Sequence, residues 1–341
     1  LDRVKLKKIL TNAKINPPKD EINSAPQPQV GPVPRMGRKP VENELQKGAG
    51  EVAELAGEML LSGGKRLRPL LAIIAYEVAG GKDIDEIMNL ALSFEFIHTA
   101  TLVHDDINDA AKQRRGITTL HERAGQAKAI IAGDWLFVHG FGLGGLYTKA
   151  IIDLVTDCCA NIAISEFMQL DHVLNLSTSP EDYLQIVRGK TAGPFAAGCE
   201  AAAIVAGSSQ EDAEALGRFG MELGIAFQLM DDILDLQGDE RMGKPRGADV
   251  IEGKMTLPLI HALTLLHGDK RKKLSNILQQ FTDKNWDELM GLLETSDSLG
   301  YSQLLVRTHL ERATLELQRF PDSLSKSLLM RIVEHVHQRH M

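Results

Sequence analysis

Long apolar runs with a helical period and few breaks constrain the fold of this chain more than any other feature. From about residue 41 onward, leucines such as Leu55 and Leu60 fall near helical spacing, and alanine-rich stretches recur at 91–100 and 196–206. Aromatic residues make up only 5% of the chain, and strand-forming residues do not cluster into alternating runs. The sequence therefore predicts an all-α fold with no strand.

Proline and glycine divide the chain into an extension and one large domain. Residues 17–40 are rich in proline and predict an extended linker. Beyond the linker the breaks are short, and Ser179 and Ser209 are each followed by residues typical of a helix start. We assign 1–40 to an N-terminal extension and linker, and 41–341 to a single all-helical domain.

Charge and cysteine content narrow the class of protein. The 46 acidic residues outnumber the 38 basic ones and give a formal charge of −8, which argues against a dedicated nucleic-acid binder. The cysteines Cys158, Cys159 and Cys199 form no CxxC pair, which favours a reducing compartment. The sequence contains neither a signal-peptide pattern nor an apolar run of about 18 residues. It therefore predicts a cytoplasmic protein with no stable membrane anchor.

Two aspartate clusters of the form DDxxD each end an apolar helical run. Residues four apart on a helix share a face, so Asp105 pairs with Asp109 and Asp231 with Asp235. Like charges repel at this spacing and are disfavoured at helix C-terminal ends. A divalent cation removes the conflict, and ligation by oxygen alone favours Mg²⁺ or Mn²⁺ over zinc. The candidate metal ligands are Asp105, Asp106, Asp109, Asp231, Asp232 and Asp235.

Four basic groups lie beside glycines or turns. They are Lys65, Arg66 and Arg68 after two glycines, Arg114 and Arg115 before Gly116, Lys190 after Gly189, and Lys254 after Gly253. Glycine lets the backbone approach a ligand, and arginine offers two parallel hydrogen bonds to a phosphate. The first group is no Walker P-loop, because the hydroxyl residue after the lysine is absent. Acidic clusters, basic groups and apolar helices together indicate a Mg²⁺-dependent protein that acts on diphosphates with an apolar hydrocarbon tail.

The ordered motifs resemble those of the all-trans polyprenyl diphosphate synthases. Between about Leu55 and Ala262 the chain contains, in family order, GGKRLRP, FIHTATLVHDDIND, RRG, AGDWLF, YLQIVRGKTA, FGMELGIAFQLMDDILD and GADVIEGKMTLPLI. The resemblance points to the medium- and long-chain members, such as octaprenyl, heptaprenyl and solanesyl diphosphate synthases. It implies a single large helical bundle around a central apolar cavity, dependence on Mg²⁺, and a homodimer.

The resemblance also implies a role for each candidate residue. The six aspartates would hold Mg²⁺ ions that bridge an allylic diphosphate. Three basic residues would contact that diphosphate: Arg114, Lys190 and Lys254. Four residues would hold isopentenyl diphosphate: Lys65, Arg68, His98 and Arg115. Two residues would line the reacting centre: Thr191 and Gln228.

The implied reaction is an ionisation followed by a condensation. Metal ions and basic side chains would stabilise the departing pyrophosphate, where negative charge develops. The isopentenyl double bond would attack the allylic cation, and a proton would then be lost to pyrophosphate.

The chain departs from the family pattern at two positions, neither of which belongs to the acidic or basic sets. Proline is missing after Gly116, and Ser165 precedes Glu166 where the family usually has glycine.

Product length should depend on side chains ahead of the first aspartate cluster. Short-chain members of the family carry a bulky residue about five positions before the first aspartate, where this chain has Ala100 followed by Thr101. We therefore expect a product of about thirty to fifty carbons. Five bulkier residues could close the tunnel further along: Phe94, Phe96, Ile97, Phe167 and Met168.

Several alternatives stay open at this point. A geranylgeranyl diphosphate synthase would use the same motifs and stop at twenty carbons. A non-catalytic subunit of a heteromeric synthase would have degraded aspartate clusters, whereas both are intact here. A metal phosphohydrolase built on His98, His104 and Asp105 would leave the basic groups unexplained. Terpene cyclases share the first cluster but lack a second DDxxD with GGKR.

Overall fold

The structure is a computed structural model that describes residues 50–64, 66–114, 116–238 and 246–338. Within these ranges the chain is helical almost throughout, so the all-α prediction is confirmed. The predicted extension and linker lie outside the described residues. The helices are α1 Glu51–Leu61, α2 Leu67–Val78, α3 Ile84–Asn108, α4 Leu120–Ala124, α5 Gln126–Gly144, α6 Lys149–Asp171, α7 Pro180–Val187, α8 Gly193–Val205, α9 Gln210–Gln237, α10 Ala248–Ile251, α11 Leu257–Leu265, α12 Gly268–Gln279, α13 Trp286–Thr295, α14 Ser298–Leu317 and α15 Leu324–Gln338.

One small β-ribbon departs from the sequence prediction of no strand. Strand β1 is Gln113–Arg114 and strand β2 is Ile117–Thr118, paired antiparallel. Gly116 has a φ of 79°, which the turn requires and which glycine adopts without strain. Two residues per strand are too few to produce an alternating pattern, so the sequence carried no signal for this element.

The described residues divide into two compact units. Unit 1 contains the first aspartate cluster and unit 2 contains the second. Unit 1 consists of residues 50–153, Ala201–Ala213 and Asp322–His335. Unit 2 consists of Leu154–Glu200, Glu214–Pro321 and 336–338.

In unit 1 the helix that ends in the first aspartate cluster, α3, packs along α5. The two helices approach closely at Gly140, where an added Cβ would lie 2.9 Å from Ile97 Cγ1. The hydroxyl of Ser93 donates to the Gly140 carbonyl at 2.6 Å and ties the helices together there. Their buried side chains join those of α1 in one hydrophobic core, which holds in place the helix that ends in the aspartate cluster.

In unit 2 the second aspartate cluster lies on α9, the longest helix of the described residues. Its packing partner α8 follows a π-helical segment at Arg188–Ala192 that directly continues α7. Both predicted helix starts are confirmed: Ser179 forms a capping box with Asp182, and Ser209 Oγ accepts from the Asp212 amide at 3.1 Å. These capping residues fix the positions at which α7 and α9 begin.

Two further sequence predictions can be compared with the structure. The three cysteines are free and buried, as expected for a chain without a disulfide framework. Among the described residues, every helix is too short or too polar to cross a membrane.

Candidate active site

The first aspartate cluster ends α3 with its carboxylates on two faces. Asp105 and Asp109 are both half-buried and lie one turn apart. Asp106 points inward, with a relative exposure of 1%. The arrangement follows the helical spacing predicted from the sequence and leaves the first and last aspartates half-buried while the second is enclosed.

Arg114 anchors the buried Asp106. Its Nε donates to Asp106 Oδ1 at 2.5 Å from strand β1. Burial raises the pKa of Asp106, while the charges of Arg114 and His121 oppose that shift. Asp106 Oδ2 is buried and has no hydrogen-bond partner among the described residues. A cation or a cation-bound water would satisfy that oxygen.

The basic loop before α2 is only partly described. Arg66 adopts a left-handed conformation, with φ 51°, and its guanidinium donates to Glu95 and to the Leu60 carbonyl. Arg66, directly before α2, is therefore bonded to both α1 and α3. Arg68 lies in the first turn of α2 and is half-buried, whereas Lys65 lies outside the described residues, as does Arg115.

Two histidines of α3 have different surroundings. His98 is half-buried and lies seven residues before Asp105, which places both on one helix face. The ring of His104 fills the space beside Gly133, and its Nε2 lies 3.5 Å from Asp134 Oδ1. His98 thus shares the face of the half-buried aspartates, while His104 packs against α5.

The predicted chain-length residues occupy two environments. Ala100 and Phe96 are fully buried in the core with α1 and α5, and Ile97 packs against Gly140. Thr101 is half-buried one turn before Asp105, and its hydroxyl donates to the His98 carbonyl at 2.8 Å. Of these residues, Thr101 lies nearest in helical phase to the half-buried aspartates.

The second aspartate cluster repeats the arrangement of the first. Asp231 and Asp235 are half-buried, and Asp232 is 3% exposed. Asp235 accepts from the amides of Ala248 and Asp249, at 3.1 and 3.2 Å, at the start of α10. These bonds orient Asp235 and bring Asp249 into the acidic cluster.

Both oxygens of Asp232 accept hydrogen bonds, one from the buried Tyr183 and one from the half-buried Gln228. Tyr183 Oη donates to Oδ2 at 2.5 Å, and Gln228 Nε2 donates to Oδ1 at 2.8 Å. Thr191 Oγ1 in turn donates to Gln228 Oε1 at 2.9 Å. Burial and the charge of Asp249 raise the pKa of Asp232, while the two donors oppose the rise. Burial raises the pKa of Tyr183 well above its usual value, so its hydroxyl keeps its proton.

Lys190 lies in the π-helical segment and is held by α6. Its Nζ lies 2.5 Å from Glu166 Oε2 and donates to Gln169 Oε1 at 3.2 Å. Gly189 permits this approach, because a Cβ there would collide with Ser165. The π segment thus presents Lys190 toward α6 and Thr191 toward α9, a use of π turns that is frequent at functional sites.

Lys254 follows α10 and is half-buried. Its Nζ lies 2.6 Å from Glu252 Oε2, and its amide donates to the Asp249 carbonyl at 2.8 Å. The structure therefore brings Lys190, Thr191, Gln228, Lys254 and the second aspartate cluster together within unit 2.

Sequence reasoning did not single out Tyr183 or Asp249 as site residues. Tyr183 precedes Lys190 by two helical turns within the YLQIVRGKTA motif, and that spacing was the available signal. Asp249 is separated from the second cluster by a loop, and only the fold brings it close.

The donor set fits a divalent cation that completes its shell with other ligands. No group of three or more His, Cys, Asp or Glu side chains in the described ranges could hold a metal unaided. Mg²⁺ typically takes one or two carboxylates and adds waters and substrate phosphates. The half-buried aspartates at the two clusters and the buried Asp106 Oδ2, which has no hydrogen-bond partner among the described residues, match that pattern.

Comparison with known families identifies the class of the chain. Residues 50–293 match the family model described as Polyprenyl synthetase. The chain belongs to the polyprenyl synthetase family. Its members named in the comparisons are prenyl diphosphate synthases, which are transferases, and the resemblance of the sequence motifs is confirmed.

Two curated members of the family and one solved structure show how far the likeness extends. A short chain isoprenyl diphosphate synthase of Methanothermobacter thermautotrophicus is 33% identical over 287 residues, covering 82% of this chain and 88% of that protein. An octaprenyl diphosphate synthase of Haemophilus influenzae is 33% identical over 282 residues, covering 82% and 85%. The structure of a Caulobacter crescentus polyprenyl synthase with calcium and isoprenyl diphosphate has a TM-score of 0.82 at 33% identity, covering 88% and 94%.

Proposed function

We propose that the chain is a Mg²⁺-dependent trans-prenyltransferase that condenses isopentenyl diphosphate with an allylic diphosphate. Residues 41–341 form the proposed catalytic domain. The observation that carries the proposal is the shared design of the two aspartate clusters. In each cluster the first and last carboxylates are half-buried. The second carboxylate is buried and accepts a hydrogen bond from a side chain of another element.

Six carboxylates are the proposed ligands of Mg²⁺. They are Asp105, Asp106, Asp109, Asp231, Asp232 and Asp235. Hydrogen bonds within the protein orient Asp232 and Asp235, because each oxygen of these two carboxylates accepts one. When bound, Mg²⁺ would neutralise charge on diphosphate oxygens and favour departure of pyrophosphate. The bound calcium named for the Caulobacter relative supports a divalent cation in this family.

The basic residues of the chain neutralise the remaining phosphate charge. Arg114, Lys190 and Lys254 are proposed to contact the allylic diphosphate, and each is held beside a carboxylate that fixes its position. Four residues are proposed to hold isopentenyl diphosphate: Lys65, Arg68, His98 and Arg115. Preorganised cations stabilise a departing anion because they need no rearrangement as its charge develops.

Thr191 and Gln228 are proposed to face the allylic cation. Their oxygen atoms carry partial negative charge and are linked by a hydrogen bond of 2.9 Å. Apolar side chains around the reacting carbons would exclude water, which would otherwise capture the cation. The proton lost after condensation goes to pyrophosphate in this scheme, so no protein base is assigned.

A product of about thirty to fifty carbons is our proposal for chain length. The small residue at position 100 supports it, and the octaprenyl relative has a product in that range. The name of the short chain relative from Methanothermobacter supports a competing, shorter product. Bulk introduced at positions 100 and 101 distinguishes the two proposals, as set out in the Discussion.

A homodimer is proposed from one exposed helix face. On α6, Ile164, Phe167 and Leu170 are exposed, with Phe167 at 72%, and successive members lie three residues apart. A contiguous apolar surface of this kind marks an interaction site. We propose that a second copy of the chain covers this face of α6.

A cytoplasmic location is also proposed, because the three cysteines are free.

The test of the proposed reaction is a product assay with the purified chain. The protein is incubated with Mg²⁺, farnesyl diphosphate and labelled isopentenyl diphosphate, and the dephosphorylated product is sized by chromatography. A labelled prenyl product establishes the reaction. With substrates and metal verified, absence of any product contradicts it and favours a non-catalytic subunit.

A further inference from the structure

We propose that Tyr183 is a positioning residue for prenyl transfer, acting through Asp232 on Gln228. Tyr183 lies on α7 and is 6% exposed, so its ring is enclosed by protein. Its hydroxyl donates to Asp232 Oδ2 at 2.5 Å. The inference rests on the proposed function, in which Gln228 and Thr191 face the allylic cation.

The hydrogen bonds from Tyr183 to Thr191 form one directed chain. Each oxygen of the Asp232 carboxylate accepts one hydrogen bond from a neighbouring side chain. Tyr183 supplies one donor and Gln228 Nε2 supplies the other, at 2.8 Å. The amide of Gln228 is thereby fixed with its nitrogen toward Asp232 and its oxygen toward Thr191 Oγ1, 2.9 Å away.

The orientation of this amide has a chemical consequence. Its oxygen end carries partial negative charge and stabilises a neighbouring carbocation, whereas its NH₂ end would destabilise one. If the Tyr183 hydroxyl is removed, Asp232 keeps one donor and can turn in its site, so the amide is no longer held in one orientation. Residues that orient a functional group from behind typically change activity by about tenfold to a hundredfold when removed.

The chain offers a matched control for loss of a buried tyrosine hydroxyl. Tyr76 in α2 is fully buried, and its hydroxyl donates to a carboxylate oxygen of Glu86. The Tyr76 hydroxyl thus bonds to a carboxylate outside both aspartate clusters. Tyr183→Phe and Tyr76→Phe each remove a hydroxyl that a buried tyrosine donates to a carboxylate, and only the first removal affects the proposed chain of hydrogen bonds.

The experiment compares wild type, Tyr183→Phe, Tyr76→Phe, Gln228→Leu and the double variant Tyr183→Phe/Gln228→Leu. We expect Tyr183→Phe to lower kcat by about tenfold to a hundredfold, with KM for isopentenyl diphosphate changed less than about threefold. Tyr76→Phe should retain wild-type kcat. In the Gln228→Leu background, Tyr183→Phe should lower kcat no further, because residues of one network are not additive. Thermal unfolding with inorganic pyrophosphate and Mg²⁺ should show a similar ligand-induced shift for wild type and Tyr183→Phe.

Four outcomes would overturn the positioning role, and a fifth would contradict the proposed function instead. An active wild type with equal kcat in Tyr183→Phe overturns the positioning role, as does an additive loss in the double variant. Equal losses in both tyrosine variants also overturn it, since they indicate a stability effect alone. Loss of the pyrophosphate-induced shift in Tyr183→Phe would place its effect on ligand binding and would likewise contradict it. If the wild-type protein is inactive, the proposed function itself is contradicted, whatever the variants show.

Discussion

Gly224 packs directly against the backbone of Ala192, so that a Cβ at Gly224 would lie 2.5 Å from the Ala192 Cα. Gly224 belongs to α9, one turn before Gln228, and Ala192 ends the π-helical segment that carries Thr191. The contact therefore sets the separation between the two elements that supply Thr191 and Gln228. Backbone atoms form the obstruction, so no side chain can turn aside to relieve it.

Gly224→Ala should separate these elements and disrupt the Thr191–Gln228 hydrogen bond. We expect a stability loss of about 1–3 kcal/mol from overpacking and a lower kcat, measured by chemical unfolding and by steady-state assay. Gly291→Ala is the control, because no heavy atom lies within 4 Å of a Cβ at that position in α13. It should retain activity and gain stability of about 0.5–1 kcal/mol, as expected for alanine in a helix. Equal stability of the two variants would contradict the packing argument.

Asp105→Asn should weaken metal-dependent activity strongly. Loss of one charged ligand removes several kcal/mol of stabilisation, so we expect kcat/KM to fall by about a hundredfold to a thousandfold. The Mg²⁺ concentration for half-maximal activity should rise, and removal of metal with a chelator should abolish wild-type activity. Asp153→Asn, at an exposed aspartate paired with Lys149 at 2.7 Å, should behave as wild type. Full activity in chelator would exclude the proposed metal role.

Bulk added before the first aspartate cluster should shorten the product. Ala100→Tyr is the direct test, but Ala100 is fully buried and the larger side chain risks disturbing the core. Thr101→Phe avoids that difficulty, because Thr101 is half-buried one turn before Asp105. Thr308→Phe changes a comparable helical threonine, bonded to the Leu304 carbonyl at 3.0 Å, and should leave product length unchanged. If chromatography shows the wild-type product from both Ala100→Tyr and Thr101→Phe, these positions do not set chain length.

Phe167→Asp should convert a dimer into monomers. A charge in the centre of an apolar face opposes its burial at an interface, since desolvation of the carboxylate is costly. Mass measurement by light scattering at several concentrations checks the result. Leu315→Asp, at an exposed leucine of α14, should leave the dimer intact. A wild-type chain that is monomeric throughout would contradict the proposed dimer.

Stability should fall as the pH drops below about 6.5, partly because of His261. Burial lowers the pKa of His261, against an opposing effect of Asp297. Between the lowered pKa and the usual value the unfolded chain binds more protons, so protonation favours unfolding in that window. His261→Gln should flatten the slope of the unfolding midpoint between pH 7.5 and 5. A slope in His261→Gln identical to that of the wild type would contradict the assignment.

The sequence was sufficient for features that depend on local spacing. The helical period gave the all-α fold, and the four-residue spacing in each DDxxD gave the shared face of Asp105 with Asp109 and of Asp231 with Asp235. Helix starts at Ser179 and Ser209 were also readable, because capping uses residues three positions apart.

Features that depend on contacts between distant segments were not predictable in the same way. Tyr183 and Asp232 are separated by 49 positions, and no local pattern links a tyrosine on one helix to an aspartate on another. The contacts of Arg66 are a second example of what could not be predicted. The glycines and basic residues around it suggested a phosphate ligand, yet its guanidinium is bonded to Glu95 and to the Leu60 carbonyl. One-dimensional spacing shows which residues share a face, but only packing determines what that face meets.

The π-helical segment has a consequence for the evolution of this region. A π turn contains one more residue than an α turn, so every side chain beyond it is rotated by about 100° relative to an uninterrupted helix. Deleting a single residue between Arg188 and Ala192 would restore ordinary geometry while turning Thr191 away from Gln228. Insertions and deletions are therefore expected to be far less tolerated here than substitutions. We therefore expect the spacing between Tyr183 and Thr191 to tolerate change less than the identity of the exposed residues between them.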